Sequence, residues 1–400
     1  MSSHLVIGSK LIEPLCYVSM IALSVIASID EKLVPLHVNI TVFSLAIITV
    51  GSYRSLAQML AEIKKGHLDE KPADGQQQQT IETVTTKDAL QFPLYAGGML
   101  LGLYCIIKFF GKDAVNYLLL VYIAIGGATG MKALLQSLTG NALQSVEDIR
   151  VFSFKFKDWI DLQVSALDLV GLVMSVTSVA FYVWSKSWIY NNILAVVFCV
   201  HALQFIFLGN FKTGALLLTL LFFYDIFFVF GTDVMITVAK NVDAPIKLQF
   251  PRDLTTSPPQ YSILGLGDIV IPGIFMSLCL RFDVLKALSL NKLEALIDGE
   301  RKGKGEDGQT IEYIVTEGNK APKHYYMAVV VGYLIAIITT VVIMFVFNHG
   351  QPALLYLVPG CILAVAVTAL VKGEMALVLE FVEEKFYGAV AEEEGAKKDK

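Results

Sequence analysis

Apolar residues in this chain gather into ten long runs, at about 11–29, 37–60, 90–110, 114–138, 162–184, 188–208, 213–235, 262–280, 325–347 and 352–371. Each run is roughly 20 residues, the length a helix needs to cross ~30 Å of hydrocarbon. Apolar positions within a run are continuous and do not alternate. Alternation is the mark of strands in a closed barrel, the other structure that satisfies its backbone inside lipid. The pattern predicts an all-α polytopic membrane protein.

Two polar stretches interrupt the runs. Residues 64–88 have no apolar period and include four consecutive glutamines, which predicts a flexible loop. Residues 286–323 mix Lys, Arg, Glu, Asp and Gly and also predict an exposed loop. Four segments result: an N-terminal hydrophobic segment 1–36, a helical scaffold 37–208, a second helical half 209–372 containing the polar loop 281–324, and a tail 373–400. The first run follows Lys10, as the apolar stretch of a signal peptide can. Glu13 and Pro14 interrupt its start and no small-residue cleavage site follows, so a retained helix is expected. The sequon Asn39-Ile40-Thr41 lies at the membrane edge of the second run and is read as chance.

Composition agrees: 55% of the 400 residues are hydrophobic, mean hydropathy is +0.62, and 17% are charged. The net charge of −5 says little, whereas the placement of Lys and Arg says much. If all ten runs cross, the segments on the C-terminal side carry 23 basic residues and the opposite segments 7, with Lys132 inside a run. Basic residues favour the cytosolic face, so the C-terminus is expected there. The chain ends Lys397-Lys398-Asp399-Lys400. Lysines third and fourth from the end match a cytosolic dilysine retrieval signal, an address read by a receptor and not an anchor. That predicts a multi-pass protein of the endoplasmic reticulum membrane. The five cysteines lie in or beside apolar runs without C-x-x-C spacing, and the six histidines form no HExxH-like pattern. Neither a disulfide framework, a metal site nor an organic cofactor is suggested, and no nucleic-acid partner is expected.

The candidate chemistry lies in two acids. Asp225 sits within the apolar run 216–230, and Asp268 heads the apolar stretch 269–280. An ionisable group in a span costs ~2.5–3.5 kcal/mol on insertion scales and is usually kept for function. Asp268 ends the motif Gly265-Leu266-Gly267-Asp268, whose glycines allow close backbone approach. If the two spans pack, the carboxyls can face each other and share one proton. The ionised partner can then take a proton from water while the protonated partner polarises a peptide carbonyl. A third motif, Pro352-Ala353-Leu354, opens the last span, where proline is at home in the first turn of a helix.

Together the three motifs carry a resemblance. Tyr224-Asp225, Gly265-Leu266-Gly267-Asp268 and Pro352-Ala353-Leu354, in that order on separate spans, resemble the presenilin-type intramembrane aspartyl proteases. Phe223-Tyr224-Asp225-Ile226-Phe227, Val238-Ala239-Lys240, Ala244-Pro245-Ile246-Lys247-Leu248 and the stretches 264–274 and 351–359 narrow it to the signal peptide peptidase branch. Trp188-Ile189-Tyr190-Asn191-Asn192 and Arg281-Phe282-Asp283 also fit. The resemblance covers roughly 38–372 and is strongest over 188–360.

It implies nine core spans, here with one extra N-terminal helix, and Asp225 and Asp268 as the catalytic acids. Tyr224, Gly265, Leu266, Gly267, Pro352, Ala353 and Leu354 become active-site or substrate-holding residues. The implied substrates are membrane-embedded helical peptides such as leftover signal peptides, cut without obligatory partner subunits. A second copy of the chain and membrane-protein degradation machinery stand as candidate partners. A helix hides its scissile carbonyls, so substrate must unwind; an edge such as 245–250 could then receive it as an added strand. Asp233 departs from the family pattern: eight residues after Asp225, it would share its helix face and is read as a wet helix end. Two other readings compete. An ion- or proton-coupled transporter also uses intramembrane acids and glycine-broken helices, but no paired halves are visible. A non-proteolytic degradation adaptor of the same fold would not need the three motifs intact.

Overall fold

The computed structural model describes residues 9–30, 32–68, 83–139, 149–156, 160–254, 256, 259–288, 318, 320–347 and 351–383. Ten long helices match the ten apolar runs: α1 (Ser9–Ile29), α2 (Leu36–Leu68), α3 (Thr86–Phe110), α4 (Lys112–Thr139), α5 (Ala166–Ser185), α6 (Trp188–Phe205), α7 (Phe211–Gly231), α9 (Gly267–Ala287), α10 (His324–Phe347) and α11 (Leu354–Lys372). Two shorter helices, α8 (Val234–Asn241) and α12 (Met375–Glu380), complete the helical set among the described residues. Nine of the long helices are apolar enough to cross a membrane by length and composition. The tenth, α9, carries Asp268, Arg281, Asp283 and Lys286.

That exception has a physical reason. The middle of α9 is enclosed: every residue from Pro272 to Leu285 is buried. It packs on α2, α6, α7, α10 and α11, so Arg281 and Asp283 face protein and not lipid. Polar contacts knit this centre together. Ser277 on α9 bonds Ser52 on α2 at 3.0 Å, and Arg281 reaches Ser55 of α2 at 2.7 Å. At the periphery, α3 turns long apolar side chains such as Leu94, Met99 and Phe109 outward. Close approach of α10 and α11 requires glycine: a Cβ on Gly332 would stand 2.6 Å from the Gly360 carbonyl oxygen.

Among the described residues six strands interrupt the helical pattern, where the apolar runs predicted none. β1 (Thr83–Val84) pairs in parallel with β4 (Phe207–Leu208). β2 (Arg150–Phe156) and β3 (Ile160–Ser165) form an antiparallel hairpin, as do β5 (Lys247–Asp253) and β6 (Gln260–Gly265). Two helix starts shift in consequence. The fifth run, read from 162, becomes helical only at Ala166, where Ser165 and Asp168 form a capping box. The eighth, read from 262, is strand until Gly265. β-branched and aromatic residues beside a buried surface serve both structures, so apolar continuity alone does not separate them.

Ser55, Leu208, Arg281 and Glu383 meet at one end, and β1 joins β4 there. Asn116, Tyr182, Asn191, Asn192 and the segment 241–249 meet at another. Lys132, the basic residue inside a run, is neutralised by Asp168 across α4 and α5 at 2.9 Å. α1 packs on α2 and α4, and its Glu13 pairs with the buried Arg54 of α2 at 3.2 Å. Asn39 of the sequon is buried. Cys199, Cys279 and Cys361 are buried and all five cysteines are free.

Candidate functional site

Asp225 lies on α7, whose start is fixed by Asn210 accepting the Thr213 amide at 2.7 Å. Its side chain is buried, 6% exposed, with phenylalanines on both sides in sequence. A carboxyl there needs a donor. Leu354 provides it: the Leu354 N–H donates to Asp225 Oδ2 at 3.1 Å.

The proline motif explains why that amide is free. The first amides of a helix have no partner within the helix. α11 begins at Leu354, with Ala353 in the capping position and no side-chain cap. Pro352 is buried two residues before the first helical residue, not in the first turn as the sequence suggested. Proline disfavours helical backbone in the residue before it and has no amide of its own, which discourages backward extension. Asp225 therefore acts as the cap that α11 lacks in its own sequence, and negative charge is favoured at that end of a helix.

Asp268 occupies the first turn of α9. The Leu266 carbonyl accepts the amides of Ile269 and Val270 at 3.1 and 2.9 Å, which turns the chain from β6 into the helix. Gly265 leaves room beside the acid. A Cβ there would stand 3.3 Å from Asp268 Oδ2, a contact tight enough to move the carboxyl. Gly267 is less demanding, since its Cβ would meet Ile271 at an ordinary 3.7 Å. Tyr333 of α10 donates to the Asp268 backbone carbonyl at 3.4 Å. Asp225 and Asp268 stand on helices that pack together.

The fold thus brings the Asp225, Gly265-to-Asp268 and Leu354 groups to one place. Tyr224 packs its ring on Phe228 at 4.6 Å, beside Gly97 of α3, so it faces the α3 side of α7. Two expectations are corrected. The segment 245–250 is not a free edge. β5 is paired with β6 on one side, and side chains of α6 occupy main-chain groups of Lys247 and Gln249. Nor does Asp233 share a face with Asp225. α7 stops at Gly231, Thr232 is extended, and Asp233 stands exposed before α8. Lys397 and Lys398 lie outside the described residues. Among the described residues no group of three or more His, Cys, Asp or Glu side chains could hold a metal.

Sequence reasoning gave no role to Asn191, Asn192, Tyr333 or Glu383. For Glu383 there was a signal. An arginine in a span demands an acid, and Arg281 finds Glu383 at 2.6 Å with both side chains fully buried.

The model of the family described as signal peptide peptidase matches residues 76–385. The chain is 36% identical over 324 residues to "Signal peptide peptidase" of Mus musculus, covering 78% of this chain and 77% of that protein. The human protein of the same name is 35% identical over 313 residues, 76% and 74% of the two chains. "Intramembrane protease 2" of Caenorhabditis elegans is 38% identical over 235 residues, 58% of this chain and 45% of that one. A match over most of the chain, containing all three motifs, leaves one assignment: this polytopic protein belongs to the signal peptide peptidase family and is an intramembrane protease.

Proposed function

We propose that the protease is of the aspartic class and that Asp225 and Asp268 are its catalytic pair. The observation that carries the reading is geometric: Asp225 and Asp268 stand on helices that pack together, and Asp225 accepts the free Leu354 amide that opens α11. Brought close, two like charges favour a single shared proton. The ionised carboxyl takes a proton from water, and the protonated one donates to the scissile carbonyl oxygen as the tetrahedral intermediate forms. When that intermediate collapses, the proton taken from water passes to the leaving nitrogen. No cofactor is needed for these steps.

Substrate is a membrane-embedded helix, such as a leftover signal peptide. Its scissile carbonyl is locked in a helical hydrogen bond and must be released before attack. β6 supports a place for the released segment. Among the described residues no main-chain bond from outside the hairpin reaches it, and it ends three residues before Asp268. An extended peptide laid along this edge would exchange its lost helical bonds for strand bonds. We place the protein in the endoplasmic reticulum with its C-terminus cytosolic, from the 23-to-7 basic asymmetry and the Lys397-Lys398 tail. Replacing both lysines by Ser should let a fraction reach later compartments, visible by organelle fractionation; an unchanged distribution refutes the signal.

The deciding experiment incubates the purified protein alone with a Leu-rich, signal-peptide-like helix and weighs the fragments by mass spectrometry. Paired fragments from cuts inside the apolar stretch are expected. Their rate of appearance should rise and then fall with pH, because one carboxyl must be ionised and the other protonated. No cleavage, or a rate flat over several pH units with binding held constant, overturns the assignment.

A further inference from the structure

We propose that Asn191 and Asn192 of α6 are positioning residues that hold the hairpin next to Asp268 in register and so set where substrate is cut. Both carboxamides are buried, at 0% and 3% exposure, in a helix that is otherwise strongly apolar. Asn192 Oδ1 accepts the Gln249 amide at 2.8 Å, and Asn192 Nδ2 donates to the Gln249 carbonyl at 2.8 Å. That is the pair of bonds a residue of a neighbouring antiparallel strand would make. Asn191 Nδ2 donates to the Lys247 carbonyl at 2.7 Å and to Asn192 Oδ1 at 3.1 Å.

Residues 247 and 249 are two apart and share one edge of β5. The two side chains stand in for a third strand along that edge. Leu248 and Phe250, on the alternate positions, are buried, and Phe250 packs edge-on against Phe43 of α2 at 5.3 Å. A one-residue slip of β5 would send both of them to the wrong face. It would also break the bonds to Asn192. β6 follows β5 through the pairings Gln249 with Ile263 and Lys247 with Gly265, and Asp268 follows β6. The asparagines therefore act through the hairpin and not on substrate.

Stability alone does not account for the pair. Asn191 Oδ1 is buried without a hydrogen-bond partner, which costs free energy that an apolar residue would avoid. Closing β5 also leaves β6 as the hairpin's edge for an incoming strand. The inference rests on the protease reading above and adds to it the residues that fix the register.

The test uses the full-length protein and the Leu-rich helical peptide in lipid vesicles. Cleavage by the unaltered protein checks the protease reading by itself. Asn192→Leu keeps helix and volume but removes both bonds to Gln249. We expect its cuts to spread to neighbouring peptide bonds and its KM to rise at least about fivefold, since two neutral hydrogen bonds are lost and each is worth about that factor. Binding of a small transition-state-like aspartic protease inhibitor should change less than KM. Asn192→Asp, which keeps the acceptor for the Gln249 amide and loses the donor, should restore part of the original cut pattern. An unchanged cut pattern and KM in folded Asn192→Leu overturns the proposal. So does failure of both variants to fold, because the pair is then a structural support and sets no register.

Discussion

The two ends of α9 obey different rules. The end carrying Arg281 is enclosed: its guanidinium touches Glu383, Ser55 and the Leu208 carbonyl, and lies over the Phe207 ring at 4.7 Å. Phe282 adds edge-on contacts with Phe211, Tyr325 and Phe381. The other end, at Asp268, is only partly buried and follows two glycines, and Ile263 on the preceding strand is exposed. One helix is thus clamped at its foot and open at its head. Under the proposed mechanism the Asp268 carboxyl exchanges protons with water and makes room for a peptide, so it cannot be packed like Arg281. It can still be aimed accurately if the rest of its helix does not move.

The largest effect separating the two ends should come from the acids. Asp225→Asn and Asp268→Asn should each lower turnover by at least about 100-fold, since an amide neither accepts nor delivers the needed proton. Both variants should stay folded, checked by thermal melting beside the fragment assay. Substantial cleavage by either would remove the catalytic assignment.

The foot should respond in the opposite sense. Glu383→Ala leaves a buried guanidinium unpaired and should cost about 3–5 kcal/mol of stability. The cleavage rate per folded molecule should fall far less than the melting temperature suggests. A variant that melts normally but has lost turnover would mean that the clamp is part of the active site.

Between these lies Pro352→Leu. Leucine keeps roughly the apolar volume and restores an amide, so α11 can extend backward and take the Leu354 amide into its own hydrogen bonding. Asp225 would lose a hydrogen bond made to a charged group, and turnover should drop roughly ten- to 100-fold. The melting profile should stay near normal. Unchanged turnover would reduce the proline to a helix-start residue.

The smallest effect sits just beyond α11. Lys286 Nζ lies 2.5 Å from Glu374 Oε2, and that ammonium holds the Glu374 carboxyl below its usual range. A carboxyl depressed on folding stabilises the fold above its unfolded value, about 4.5, and the contribution fades as pH falls through the folded value. The pair is partly exposed, so the contribution should be of the order of 0–1 kcal/mol. Glu374→Gln should flatten the acid side of the melting-temperature profile slightly. An identical profile would show that solvent screens the pair completely.

How much of this was legible beforehand differs by element. Ten apolar runs became ten helices because, in lipid, hydrophobic length and satisfied backbone leave few other structures. Asp225 and Asp268 stood out because each breaks a local rule, a charge among phenylalanines and an acid after two glycines, whereas Pro352 obeys the rule for a helix start and stood out only through the resemblance. The strands were not legible. β6 and α9 share one apolar stretch, and what separates them is the pairing of β5 with β6 and the turn at Leu266.

By itself, then, the sequence determined the helical membrane architecture and the family, and it marked the two acids on which the proposed chemistry rests. Those follow from hydrophobic length, short motifs and the cost of charge in lipid, all of which act locally along the chain. Tertiary structure decided what each lone group meets. Asp225 finds the amide of residue 354, Asn192 closes an edge at residue 249, and Arg281 finds an acid 102 residues away. Such contacts depend on how helices cross, and no local pattern encodes a crossing between segments so far apart in the chain.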